Sequence, residues 1–155
     1  MEKYIEPLND KLNTLLEKIR DSENAFKKAS EQTTHLFLKQ YFERKSKERY
    51  DFGNELNNEF ILSGLQNENS NTTQNSENIA GIVSKTWIDL KTLFSLDNNQ
   101  SILESAISGE KAALEDYNEI LNQFSLPLRI RSLLLKQKET IENDFKTIKR
   151  IEDLQ

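Results

Sequence analysis

The chain contains no cysteine. That excludes disulfides, thiolate metal sites and cysteine nucleophiles. It has one histidine, His35, which cannot build a metal or catalytic cluster unaided and is expected at the surface of a helix start. Four glycines and two prolines in 155 residues leave little material for turns, so a few long elements are expected. There is no glycine-rich phosphate loop and no Ser-His-Asp set. No apolar run approaches the roughly 20 residues of a membrane span. The opening residues MEKYIEPLND lack the basic and apolar regions of a signal peptide. A net charge of −5 and a pI of about 5.1 argue against broad phosphate-backbone binding. The lysines are scattered among acids, as on a solvated face. The expectation is a cytoplasmic protein with neither nucleic acid nor membrane as partner.

Charged residues make up 30% and hydrophobic residues 35% of the chain. That balance suits long amphipathic helices with wet outer faces, and the length suffices for one domain, 1–155, with a sizeable core. The sequence is organised around ILESAISGEKAALEDYNEILNQF, residues 102–124. At helical spacing Leu103, Ala106, Ala113, Leu114, Tyr117, Ile120, Leu121 and Phe124 form one broad apolar face. Glu110 falls within roughly 20° of the centre of that face. A charge aimed at a core is expensive unless something meets it.

In chain order, a first helix is expected over about 5–31, on the stripe Leu8, Leu12, Leu15, Ile19 and Phe26. Pro7 belongs in its first turn. Glu23 lies toward the edge of this stripe. Gln32-Thr33-Thr34 is a short break in which a threonine can cap the next helix. The second helix is expected over about 35–65, lined by Leu38, Tyr41, Phe42, Phe52, Leu56 and Phe60. Lys45 and Arg49 project into that face and Glu48 sits at its margin. The stretch 66–78, QNENSNTTQNSEN, has nothing to bury and reads as a mobile linker. A crossover helix is expected over about 77–96, with Trp87 as its anchor on the bundle. Ser101 and Glu104 are spaced as a capping box before the helix that carries Glu110. Ser125 and Pro127 are placed to start a last helix running to about 154. Its stripe is Ile130, Leu133, Leu134, Ile141, Ile148 and Ile151, with Gln137 central, Asp144 near the centre and Glu142 pointing away.

Short links make two antiparallel hairpins, and the long connection between them can return the chain to the other end. The expected fold is all-α: a ferritin-like four-helix bundle with one long crossover carrying an extra helix. DSENAFKKA, YFERKSKERYDFGNEL, IAGIVSKTWIDLK and ILESAISGEKAALEDY, taken in order, resemble the small bacterial ferritin-like proteins grouped as a domain of unknown function. The resemblance covers nearly the whole chain outside the Asn-rich stretch. Its W-x-x-L-K and S-G-E-x-A-A-x-x-x-Y pieces are the most specific. It implies the crossover bundle, a stress-related role at most, and no particular activity.

Two chemistries compete for the inward-facing charges. A di-iron carboxylate bundle needs one Glu from each of two helices and a Glu-x-x-His from each of the other two. Glu23 and Glu110 stand where the single carboxylates belong. Glu48 and Asp51 have the i, i+3 spacing, with Asp51 in place of histidine. Glu142 and Phe145 have it on the last helix, with Asp144 the inward carboxylate. No Glu-x-x-His occurs, and Lys45 and Arg49 would repel a cation. Metal candidates are therefore Glu23, Glu48, Asp51, Glu110 and Asp144, with di-iron as cofactor only under that reading. The other reading is a polar layer in the core, with Glu23 and Glu110 met by Lys45, Arg49 and Gln137. Arginine suits it because its fork grips a carboxylate bidentately. This second reading is the expectation: no cofactor, no catalytic activity, and a structural or interaction role. A second copy of the chain or another protein is the partner class left open.

Overall fold

The computed structural model describes residues 2–64 and 86–154. They form α1 (Glu2–Gln32), α2 (Leu36–Leu62), α3 (Leu90–Leu93), α4 (Asn99–Leu121), α5 (Leu128–Thr147) and a closing 3-10 turn, Ile151–Leu154. No strand occurs among the described residues. The polar stretch 66–78 and the first part of the expected crossover helix lie outside them.

The apolar stripes read from the sequence are the buried faces. Leu12, Leu15, Ile19 and Phe26 of α1 and Leu38, Phe42, Leu56 and Phe60 of α2 are almost wholly enclosed. Each such side chain contributes about 1.5–3 kcal/mol of transfer free energy. α1 starts at Glu2, upstream of the expected boundary. Pro7 therefore sits beyond the first turn. The α1–α2 link is capped by His35, not by a threonine. His35 Nδ1 accepts from the Leu38 amide at 3.3 Å, and Thr33 Oγ1 accepts from the His35 amide at 3.4 Å. His35 is half-buried.

Cross-helix contacts fix the directions. Ser46 Oγ donates to the Glu23 carbonyl at 3.0 Å, and Phe42 packs against Phe26, so α1 and α2 are antiparallel. Glu59 pairs with Arg129, the Phe52 carbonyl with Gln137 and Lys45 with Asp144. α2 and α5 are therefore antiparallel as well. Leu121 meets Arg131 and Tyr117 meets Gln137, which sets α4 antiparallel to α5. It follows that α2 and α4 point the same way, so the end of α2 and the start of α4 lie at opposite ends of the bundle.

The end of that connection departs from the expected helix over 77–96. Among its described residues only Leu90–Leu93 is helical, and Thr86–Asp89 is not helical. Asp89 caps the short α3 by accepting from the Lys91 amide at 3.1 Å. Trp87 and Ile88 are buried, so Trp87 is the expected anchor, carried on an irregular strap. Gly109 of α4 makes room for it. A Cβ built there would overlap the Trp87 carbonyl oxygen and lie 2.5 Å from Ile88 Cδ1. The strap backbone lies against α4 because residue 109 has no side chain.

Three further boundaries shift. α4 is capped by Asn98, whose Oδ1 accepts from the Ser101 amide at 2.8 Å, so Ser101 is not the cap. α4 ends at Leu121, which leaves Phe124 outside the stripe and 104% exposed. α5 has Pro127 before its first turn with no side-chain cap bond, so Ser125 does not cap it. Arg131 instead donates to the Leu121 and Gln123 carbonyls at 2.6 and 2.8 Å, satisfying the end of α4. α5 stops at Thr147 and does not continue as a helix to 154.

A buried charge cluster as candidate functional site

The helical phase that aims Glu110 into the core brings it to two cations of α2. Arg49 Nη2 donates to both carboxylate oxygens of Glu110, at 2.6 and 2.6 Å. Lys45 Nζ stands 2.8 Å from Glu110 Oε2. The Lys45 and Arg49 side chains are 0% exposed, and that of Glu110 is 2% exposed. Lys45 and Arg49 share one face because they are four residues apart on a helix. The grip on Glu110 is bidentate through one nitrogen, not through the two-nitrogen fork expected of arginine.

The remaining donors are shared out. Lys45 Nζ also donates to Glu48 Oε1 at 2.8 Å and to Asp144 Oδ2 at 3.0 Å. Its ammonium therefore faces three carboxylates from three helices. Arg49 Nη1 donates to Ser22 Oγ at 3.3 Å. Its Nε has no hydrogen-bond acceptor and lies 3.6 Å from Glu48 Oε1. The guanidinium carbon lies 5.5 Å from the Phe26 ring centroid and 5.6 Å from that of Trp87. Both rings offer their electron-rich faces to the cation. Arg44 closes the rim, 3.0 Å from Asp144.

The charges settle one another's ionisation. Burial alone would raise the Glu110 pKa, but Arg49 and Lys45 outweigh it and hold the carboxyl below its usual 4.5. Burial alone would lower the pKa values of Lys45 and Arg49, yet Glu110 above all holds both above their usual values. Asp144 is held below 3.8 in the same way, its burial overcome by Lys45 and Arg44. Three acids (Glu48, Glu110, Asp144) face three bases (Arg44, Lys45, Arg49), so the cluster is neutral as a whole.

A second polar layer lies lower on α4. The Tyr117 hydroxyl donates to Gln137 Oε1 at 2.6 Å. Gln137 Nε2 donates to the Phe52 carbonyl at 3.2 Å and to Glu55 Oε1 at 3.0 Å. Gln137 is buried as expected, but its partner is Tyr117 and not Glu110. Glu23 is also absent from the cluster: it is half-buried, and Ser22 supplies the contact from α1. Ser22 had a legible signal, standing three residues after Ile19 and four before Phe26, on the centre of the stripe. Asp51 is exposed and Glu142 half-buried, and neither joins the charges. The Trp87 indole donates to Asp116 Oδ2 at 2.8 Å, and Lys18 pairs with the same oxygen at 2.8 Å. Nothing in the sequence pattern pointed to that latch.

Of the metal candidates, Glu48, Glu110 and Asp144 do converge, but their meeting point is the Lys45 ammonium. No group of three or more acidic or histidine side chains among the described residues is arranged to hold a metal ion. Between α1 and α4 lies a groove of about 160 Å³, lined by Asp10, Lys18, Asp116 and Glu119 among others. That is below the roughly 300–1,000 Å³ of small-molecule sites. No helix of the described residues is long and apolar enough to cross a membrane.

No curated protein and no solved structure matches the chain. A family model described as a domain of unknown function, DUF2383, matches residues 8–123, three quarters of the sequence. The chain therefore belongs to the DUF2383 family.

Proposed function

We propose that the protein is a single-domain ferritin-like bundle of cytoplasmic, non-catalytic, structural or interaction type, whose core charges hold the helices in register. One observation carries this reading: Lys45 Nζ sits among Glu48, Glu110 and Asp144 at 2.8, 2.8 and 3.0 Å. The carboxylates that a metal would need are already engaged by a fixed cation, and the acids and bases cancel. Carboxylates engaged in this way are not spare for acid–base work or for a metal. The cluster can still specify one register of packing. The parallel course of α2 and α4 supports the crossover topology. Partners under this reading are a second copy of the chain or another protein. The test is elemental analysis of the full chain purified without chelator, before and after incubation with ferrous iron in air. The expected result is no stoichiometric iron, manganese or zinc and no catalysed iron oxidation. About two metal ions per chain would overturn it in favour of a carboxylate-bridged iron protein.

A further inference from the structure

We propose that the Lys45 ammonium is the resident cation of a three-carboxylate site, and that removing it turns the core into a binding site for a hard divalent metal ion. This rests on the ferritin-like, metal-free reading above and names the residue that enforces it. The geometry supports it at three points. Glu48, Glu110 and Asp144 come from α2, α4 and α5, and each places one oxygen within 3.0 Å of a single nitrogen. Such convergence of like charges is stable only around a positive centre. The Lys45 side chain is 0% exposed, whereas Glu48 and Asp144 are 11% and 20% exposed. The site is thus closed on the Arg49 side and reachable by water on the Glu48–Asp144 side.

The charge count gives the ligand class. With Lys45 removed, three carboxylates face the buried Arg49, while Arg44 stays at the exposed rim, paired with Asp144 at 3.0 Å and lying over the Tyr41 ring. The inner set of three carboxylates and Arg49 then carries −2, which one divalent ion neutralises. All-oxygen ligation with water in the remaining positions suits Mn²⁺ or Ca²⁺. Ala at position 45 leaves room for the ion and its waters. Met fills the same volume without a charge and leaves no room.

The experiment is Mn²⁺ titration of the full-length wild type, Lys45→Ala, Lys45→Met and Lys45→Ala/Glu110→Gln. Metal stoichiometry after gel filtration and the melting temperature are the readouts. Lys45→Ala is expected to hold about one Mn²⁺ per chain and to gain roughly 5 °C or more in Tm at millimolar Mn²⁺. Wild type and Lys45→Met are expected to show neither effect, and the Glu110→Gln change is expected to abolish both. Should Lys45→Ala be unfolded without metal, Mn²⁺ is expected to restore its helical circular dichroism, and failure to do so overturns the proposal. So does a folded Lys45→Ala that binds no Mn²⁺, or one that binds equally well without Glu110. Core metal in the wild type would instead tell against the metal-free reading itself, so the two failures are separable.

Discussion

Two polar layers cross the core, separated by seven residues of α4, about 10 Å along the helix axis. Around Glu110 the layer is ionic: two buried cations and three carboxylates, each needed to excuse the burial of the others. Around Tyr117 it is a chain of ordinary hydrogen bonds from Tyr117 through Gln137 to the Phe52 carbonyl, ending on exposed Glu55. Both layers interrupt the apolar core at the same interface of α2, α4 and α5. They differ in what a single deletion leaves behind. Losing one member of the ionic layer strands a charge in a medium that solvates it poorly, while losing one member of the neutral layer strands a dipole. The ionic layer therefore behaves as a unit and the neutral layer as a sum of parts.

The largest effect is expected from breaking the ionic layer at its centre. Glu110→Leu leaves Arg49 enclosed between Phe26 and Trp87 with Ser22 as its near acceptor, and should destabilise by about 3 kcal/mol in urea unfolding. Acid acts on the same layer. Glu110 and Asp144 have pKa values below their usual 4.5 and 3.8, so unfolding must take up protons. The stability they confer is whole above those usual values and is lost as the pH falls through the depressed ones. Wild-type stability should fall on acidification below about pH 4.5, and Glu110→Leu should lose part of that dependence. Lys45 is raised above 10.5, so its contribution is complete below that value and fades only above it.

A smaller effect is expected at the lid of the ionic layer. Gly109→Ala pushes a methyl group into the Trp87 backbone and should cost about 1–3 kcal/mol as overpacking. Trp87 is the only tryptophan, so a red shift of its emission would report the strap lifting. Unchanged emission with unchanged stability would mean that the strap is not held against α4. The smallest effect is expected in the neutral layer. Tyr117→Phe leaves Gln137 Oε1 without its donor and should cost about 1–2 kcal/mol, with no change in the acid dependence. A loss as large as that of Glu110→Leu would erase the distinction between the layers.

Helical phase made much of this legible. Glu110, Lys45 and Arg49 each sit centrally in an apolar stripe, and stripes that face one another bring their central charges together. The reading failed where phase was marginal or level mattered. Glu23 is one position, about 100°, past Ser22, and that rotation takes it out of the core. Gln137 is central in phase but lies two turns from Glu110, level with Tyr117. Asp144, whose near-central phase suggested only a metal ligand, is the residue level with Glu110. Phe124 fits the phase of α4, but α4 ends before it. The strap was illegible because IAGIVSKTWIDLKTLF has helical periodicity, whereas the described part of it is fixed by tertiary contacts to Gly109, Arg49 and Asp116. Such contacts override local preference.

The most direct test of the ionic layer as a unit is a double-mutant cycle on Glu110 and Arg49. Glu110→Leu, Arg49→Met and the pair are compared by urea unfolding at pH 7. Each single change should destabilise strongly, whereas the pair leaves Lys45 with Glu48 and Asp144 and restores an apolar contact. The pair is expected to be more stable than the sum of the singles by at least about 1 kcal/mol, and near the level of the milder single variant. Additive losses, or a neutral Glu110→Leu, would contradict it: Glu110 would then have no committed partner in the core.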